Sequence, residues 1–192
     1  MINLDRIQLP FQFDSHLLQE EVKKLIEVEW INHFVTQNYQ GNWSVIPLTA
    51  REGVTHPILM ATAIPGDYDF VPTPYLESSP YFQSVLESFK AEKCSVRLMK
   101  LTPGSEIKEH RDYDLDEGEV RIHIPVFTND KVSFFVNNRK VEMKEGECWY
   151  LRLSDPHSVL NEGGTDRIHL VMDMKTNDWL MGIMGQPISK RQ

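Results

Sequence analysis

Along the first ninety residues the apolar positions recur with a helical period. In DSHLLQEEVKKLIEVEW, Leu18, Val22, Leu25 and Ile26 fall on one side of a 3.6-residue repeat, with Asp14 or Ser15 ahead of them as N-cap. In SSPYFQSVLESFKAEK, Ser79 stands at the cap position and Pro80 suits the first helical residue, while Phe82, Val85, Leu86 and Phe89 make the buried stripe. The spacing predicts two amphipathic helices. From about residue 94 the period shortens to two: CSVRLMKL, EVRIHIPVF, KVSFFV, KVEMK, ECWYLRL, HSVLN and RIHLVMDM are strand-like runs separated by turn residues. FFVNNRKVEM reads as a hairpin, and KEGE and NEGGTD read as turns. The pattern predicts a mainly β chain with flanking helices, an antiparallel sandwich or barrel.

Two strand-like runs interrupt their apolar character in the same way, RIHI at 121–124 and RIHL at 167–170. Residues i and i+2 share a strand face, so Arg121 and His123 point one way while Ile122 and Ile124 point the other, and Arg167 and His169 behave likewise. A barrel with polar groups on its inner face has a lumen for a ligand.

At 192 residues the chain has the length of one domain. We expect a helical N-terminal part over about 1–93 and a β core over about 94–176. The composition, 41% hydrophobic and 25% charged, is that of a soluble globular protein. A formal net charge of −8 with no basic stripe argues against nucleic acid as a partner. The N-terminus MINLDRIQLPF lacks a signal-peptide pattern and no apolar run is long enough to span a bilayer, so the expected compartment is the cytoplasm and no membrane contact is expected. Cys94 and Cys148 each sit inside a strand-like run, where a small buried hydrophobe is the plain reading.

The candidate chemistry gathers in EHRDYDLDEGEVRIHIPVF. His110 and Asp112 are one residue apart, so in an extended chain the imidazole and the carboxylate project to one side. A third ligand from elsewhere in the sheet, for which His157 in DPHSVLN is the candidate, would give two histidines and one carboxylate on one face of an octahedral metal. Such a set holds Fe(II) and leaves positions for a bidentate cosubstrate and O2. The competing reading is a solvated acidic turn, the usual fate of such a run. HRD also matches the start of a kinase catalytic loop, but the Asn expected five residues after the Asp is Glu117. A cosubstrate with two carboxylates requires fixed cations, and Arg167, Arg121 and His123 lie on the strands that follow the candidate ligands.

HRDYDLDEGEVRIHIPV, EGECWYLRLSDPHSVLNEGGTDRIHLVMD, NDWL and the N-terminal WINHFVTQNYQGNWSVIPL resemble the bacterial branch of the aspartyl/asparaginyl β-hydroxylase family over roughly residues 30–180. That family belongs to the Fe(II)- and 2-oxoglutarate-dependent oxygenases. The resemblance implies a double-stranded β-helix, the cupin-like jelly roll. It implies His110, Asp112 and His157 as catalytic iron ligands and Arg167 as partner of the distal 2-oxoglutarate carboxylate, with Arg121 and His123 helping to bind the cosubstrate. It further implies a dioxygenase that couples decarboxylation of 2-oxoglutarate, by O2, to hydroxylation of an amino acid or a peptidyl side chain. Animal members lack the metal-binding carboxylate, and this chain keeps Asp112. For the substrate, Arg97, Trp149 and Asn161 are the candidate contacts, with Tyr150 beside them. Two other functions compete: a cupin-like metalloenzyme that does not use 2-oxoglutarate, and a non-catalytic ligand-binding jelly roll.

Overall fold

The computed structural model describes residues 4–63, 68–113, 115 and 118–185. Strand β1 (Arg6–Gln12) leads into helix α1 (Ser15–Lys24), then strands β2 (Ile31–Asn32), β3 (Tyr39–Gln40), β4 (Trp43–Pro47) and β5 (Thr49–Arg51). A short helix α2 (Pro57–Met60), strand β6 (Phe70–Pro72) and helices α3 (Pro74–Glu77) and α4 (Pro80–Glu87) follow. The later strands are β7 (Lys93–Leu101), β8 (Glu106–His110), β9 (Glu119–Phe127), β10 (Val132–Val136), β11 (Arg139–Lys140), β12 (Glu147–Leu151), β13 (His157–Asn161) and β14 (Arg167–Lys175). Helix α5 (Asp178–Ile183) comes last.

Antiparallel pairing builds a seven-stranded sheet in the order β1-β12-β9-β14-β7-β4-β2, a five-stranded sheet β11-β10-β13-β8-β3, and the small pair β5-β6. The two larger sheets face each other as a jelly roll. Alternation along the three longest strands divides the interior. Val96, Leu98, Ile122, Ile124, Leu170 and Met172 point outward and form one core with Leu18 and Val22 of α1 and Phe82 and Val85 of α4. Met99, Leu101 and Val171 point inward and meet Ile107, Phe134 and Val159 of the smaller sheet. Each outward Leu or Ile that loses its water contributes about 1.5–3 kcal/mol, and this covered face lets the inward face carry polar groups.

The helices bear out the apolar periodicity with two changes. Asp14 is the N-cap of α1, accepting from the His16 and Leu17 amides. That helix ends at Lys24, leaving Ile26 outside it and 66% exposed instead of on the buried stripe. Ser79 does not cap α4 with its side chain, because its hydroxyl donates to the Tyr75 carbonyl at 2.8 Å. The buried carboxylate of Glu21, on α1, instead accepts the Tyr81 amide at 3.0 Å, so one helix satisfies the start of the other.

The hairpin falls between β10 and β11, with Asn137 and Asn138 both at positive φ, as a tight turn of the right twist requires. KVEMK, by contrast, keeps only Lys140 in the strand, with the Val141 amide still donating to the Phe134 carbonyl at 2.8 Å. The larger correction concerns the N-terminal part, which is not purely helical: β1, β2 and β4 extend the larger sheet at its edges and β3 extends the smaller one. WSVIP of β4 is buried at all five positions, so it lacks the alternation that marks a half-exposed strand.

YQGNW turns the chain from the smaller sheet (β3) to the larger (β4) around Gly41, at φ +87°, where an added Cβ would lie 2.3 Å from Ser105 Oγ. The same hydroxyl accepts the Asn42 amide at 2.9 Å. Gly41→Ala should therefore destabilise the protein by about 1–3 kcal/mol, measured by urea denaturation; an unchanged midpoint would show that the turn relaxes freely.

Candidate metal centre

Register brings the two histidines together. Strands β13 and β8 pair with His157 directly opposite His110, and the rings stand 4.2 Å apart between centroids. Asp112 follows β8, anchored by its amide to the Leu153 carbonyl at 2.8 Å. Ligand atoms of His110, Asp112 and His157 all lie within 4.8 Å of one another. Each imidazole also has a fixed tautomer. Nδ1 of His110 lies 2.7 Å from the Lys108 carbonyl, and Nδ1 of His157 lies 3.0 Å from the Asp155 carbonyl. A carbonyl only accepts, so both Nδ1 atoms carry the proton and both Nε2 lone pairs are free for a metal.

Proton affinities agree with this donor set. Burial pushes His157 down to about 4, so it is neutral. Burial also raises the cost of charging Asp112, but Arg121 and His110 outweigh it and hold the carboxyl well below the usual range. In His110 the effect of burial is overcome by Asp112 and the Lys108 carbonyl, and its pKa lies somewhat above the ordinary value. The set fits a divalent ion that accepts two imidazoles and one carboxylate oxygen.

Behind the triad lies a buried charge cluster on the inward face of the larger sheet. Arg121 Nη1 donates to Asp112 Oδ2, leaving Oδ1 on the side of His110 Nε2, 3.5 Å away. The rest of the Arg121 guanidinium grips Asp173, with Nε to Oδ1 at 2.6 Å and Nη2 to Oδ2 at 3.0 Å. Arg97 Nη1 reaches the same Oδ2 at 3.0 Å and Ser95 Oγ at 2.8 Å. Asp173 pairs with Arg121 across the β14–β9 ladder, and its own pKa is depressed, the two guanidiniums outweighing burial.

Arg167 differs from these. It is 2% exposed, forms no ion pair among the described residues, and its Nε has no hydrogen-bond partner. Nη2 lies 3.0 Å from His169 Nδ1; a guanidinium only donates, so His169 is the acceptor and is neutral. Phe134 lies under the guanidinium, 5.5 Å from its centroid. Burial pushes Arg167 down to about 9. Beside it, His123 is buried with neither ring nitrogen bonded, and burial followed by Arg167, Arg121 and Arg97 drives its pKa well below the ordinary range. An unpaired buried cation and an unbonded imidazole are costly unless an anionic, hydrogen-bonding ligand completes them. Arg167, Arg121, His123, Arg97 and the triad all line one cavity of about 690 Å³.

The structure thus brings together His110, Asp112, His157, Arg167, Arg121, His123 and Arg97. It does not bring Trp149, Tyr150 or Asn161 to that cavity. Trp149 Nε1 donates to Glu147 at 2.9 Å, and Tyr150 is fully buried on the opposite, helix-covered face. Asn161 is fully buried and saturated: its amide donates to the carbonyls of Leu101 and Thr165, and its oxygen accepts from Asn129 and Gly163. As substrate contacts these three are corrected; Asn161 instead closes the turn between β13 and β14. Asp173, His33 and Trp43 were missed. Asp173 continues the i, i+2 series Arg167, His169, Val171 and was legible from that alternation, whereas nothing in the sequence marks His33.

Two outcomes are expected. Replacing Asp173 with Asn should leave Arg97 and Arg121 short of a counter-charge, destabilise the protein by about 3–5 kcal/mol and weaken metal binding through Asp112; urea denaturation and an Fe(II) titration check the two parts separately. Acid should also destabilise the metal-free protein. His33, His123, His157 and His169 have folded pKa values below the ordinary 6.5, so between that value and about 4 the unfolded chain binds more protons and stability falls as pH falls. His110 acts in the opposite sense, one residue against four. Denaturation midpoints at pH 7, 6 and 5 should fall in that order.

Comparison with known proteins agrees with this arrangement. The chain is 26% identical over 189 residues to the L-proline cis-4-hydroxylase of Rhizobium meliloti (strain 1021), an alignment covering 94% of this chain and 65% of that protein. The chain therefore spans just under two thirds of that relative's length. Its fold resembles an oxidoreductase of the 2OG-Fe(II) oxygenase family from Burkholderia pseudomallei, with TM-score 0.55 and 15% identity over 90% of this chain and 86% of that one. It likewise resembles a Pseudomonas putida prolyl-4-hydroxylase, with TM-score 0.53 and 14% identity over 91% of this chain and 94% of that one. No helix among the described residues is long and apolar enough to cross a membrane. The family described as aspartyl/asparaginyl β-hydroxylase matches residues 12–177, most of the sequence, and the chain belongs to it.

Proposed function

We propose that the protein is an Fe(II)- and 2-oxoglutarate-dependent dioxygenase that hydroxylates an amino acid or a peptidyl side chain. The observation that carries this reading is Arg167, a buried guanidinium without a counter-ion among the described residues, in the same cavity as a His-Asp-His donor set. His110, Asp112 and His157 would hold the iron through Nε2, Oδ1 and Nε2. Arg167 would take the distal carboxylate of 2-oxoglutarate in a bidentate pair, with His169 holding the guanidinium in place. His123 offers the ligand a hydrogen bond, and Arg121 keeps Asp112 ionised and fixed in one rotamer. When bound, iron and 2-oxoglutarate supply the oxidising chemistry, in which O2 and the oxo acid become succinate, CO2 and a hydroxyl group on the substrate carbon.

Arg97 and Arg121 are paired with carboxylates, which leaves Arg167, among the buried guanidiniums lining the cavity, for an anionic ligand. That the relative named above is an L-proline hydroxylase supports a small amino acid. A cupin-like metalloenzyme without 2-oxoglutarate would leave Arg167 buried with no task.

An anaerobic titration of the Fe(II)-loaded protein with 2-oxoglutarate tests the reading through the visible charge-transfer band of a chelated oxo acid. Wild type should show a saturable band. Arg167→Ala should weaken cosubstrate affinity by about a hundredfold or more, and His157→Ala should lose the band with the metal. Confirmed iron binding without any band would move the reading to the metalloenzyme or binding-protein alternatives.

A further inference from the structure

His33 lies on the loop between β2 and β3 and lines the cavity that holds the His-Asp-His set. Its ring stacks flat on Trp43, with centroids 3.6 Å apart and planes 7° from parallel, and runs nearly parallel to Phe34 at 5.0 Å. A ring so packed has little freedom to turn. The Val35 amide donates to His33 Nδ1 at 3.3 Å. A backbone N–H has only a proton to offer, so Nδ1 is the unprotonated nitrogen and the neutral ring carries its proton on Nε2. Among the described residues, Nε2 donates to no acceptor. Trp43, which lines the same cavity, has a buried Nε1–H that is also without a partner. The cavity wall therefore carries one neutral, unanswered N–H donor, on the His33 ring stacked against buried Trp43, and Trp43 stands 6.4 Å from His110 between ring centroids.

We propose that His33 is a substrate-positioning residue, whose Nε2–H, backed by the Trp43 indole, donates a hydrogen bond to an oxygen of an amino-acid substrate and fixes its carbon skeleton relative to the metal ligands. This rests on the oxygenase reading above. On that reading Arg167 and His123 account for the cosubstrate, which leaves the His33 N–H for the substrate. A neutral donor suits that place. It orients an oxygen without adding a further positive charge to a cavity already lined by four guanidiniums, and it remains a donor across the physiological pH range.

The test uses Fe(II)-loaded protein, anaerobic and saturated with 2-oxoglutarate, titrated calorimetrically with L-proline as probe. Two variants are compared with wild type: His33→Phe, which keeps a flat ring on Trp43 and removes the N–H, and His33→Gln, which restores a donor. In His33→Phe, L-proline affinity should fall about tenfold, the loss expected for one buried hydrogen bond, while the 2-oxoglutarate band and affinity stay as in wild type. His33→Gln should recover part of the loss. In aerobic turnover the Phe variant should raise KM more than it lowers kcat, and should form more succinate per hydroxylated product. Long-range 15N spectra of the histidines should show His33 protonated on Nε2 at neutral pH. Equal L-proline affinity in wild type and His33→Phe, no L-proline binding by wild type with a normal 2-oxoglutarate band, a parallel loss of 2-oxoglutarate affinity, or an Nδ1–H tautomer would each overturn this role alone. A wild type without the band overturns the oxygenase reading, and this inference with it.

Discussion

The carboxylate of Asp173, 3% exposed and clamped between Arg121 and Arg97, is the constraint on which the rest of the site depends. Asp173 stands on β14 and its two partners on the flanking strands β9 and β7, so the cluster ties together the middle of the larger sheet on its inward face. Burying three charges is expensive, and the same volume filled with Leu and Met would fold at least as well. The cluster makes sense through its far end. With Nε and Nη2 held by Asp173, the remaining Nη1 of Arg121 has one position available, and that position fixes Oδ2 of Asp112 and turns Oδ1 toward the histidines. Asp173 thus acts on the donor set at one remove, by orienting the arginine that orients the ligand.

The histidines are fixed by a different device. Strand pairing places His157 opposite His110, and each Nδ1–H is taken by a carbonyl two residues earlier in its own chain. Backbone carbonyls do not titrate and do not move independently of the strand, so the tautomer needed by a metal is set before any metal arrives. Arg167 and His123 lack such partners, and the contrast is informative. Among the described residues, Arg97, Arg121 and Asp112 in the cavity each have an answering group of opposite sign, whereas Arg167 has none, and under the proposed function it would be met by a carboxylate of the ligand.

Much of this was legible in the sequence. The period-two runs from residue 94 onward gave the long strands, and the repeated Arg-x-His pattern gave the inward face, because alternation is a local property of an extended chain. His110, Asp112, His157 and Arg167 were legible for the same reason, helped by family resemblance. The failures have physical causes too. WSVIP is buried on both faces and so carries no period; Asn161 is polar and next to a candidate strand end, yet its four hydrogen bonds close a turn, which only tertiary contacts reveal. Trp149 was chosen for its type, and its indole is satisfied by Glu147 two residues away. Asp173 continued a visible series but was read as an ordinary strand residue.

The cavity also changes character from its floor to its mouth. Deep in the barrel the polar groups are ionic and buried: Arg167, Arg121, Arg97 and Asp173 are each at most 9% exposed. Nearer the surface stand the rings of His33, of Phe34 at 48% and of Tyr113 at 81% exposure, with the exposed Arg111 beside them and buried Trp43 behind His33. A Coulombic interaction gains strength as the surroundings dry, so the charged floor is suited to a small, highly charged ligand that is held before the cavity closes over it. Neutral donors and flat rings discriminate by shape and hydrogen-bond geometry, and depend little on ionic strength. Under the proposed function that division would separate two tasks within one barrel, with charge retaining the cosubstrate at depth and the His33 N–H orienting the substrate.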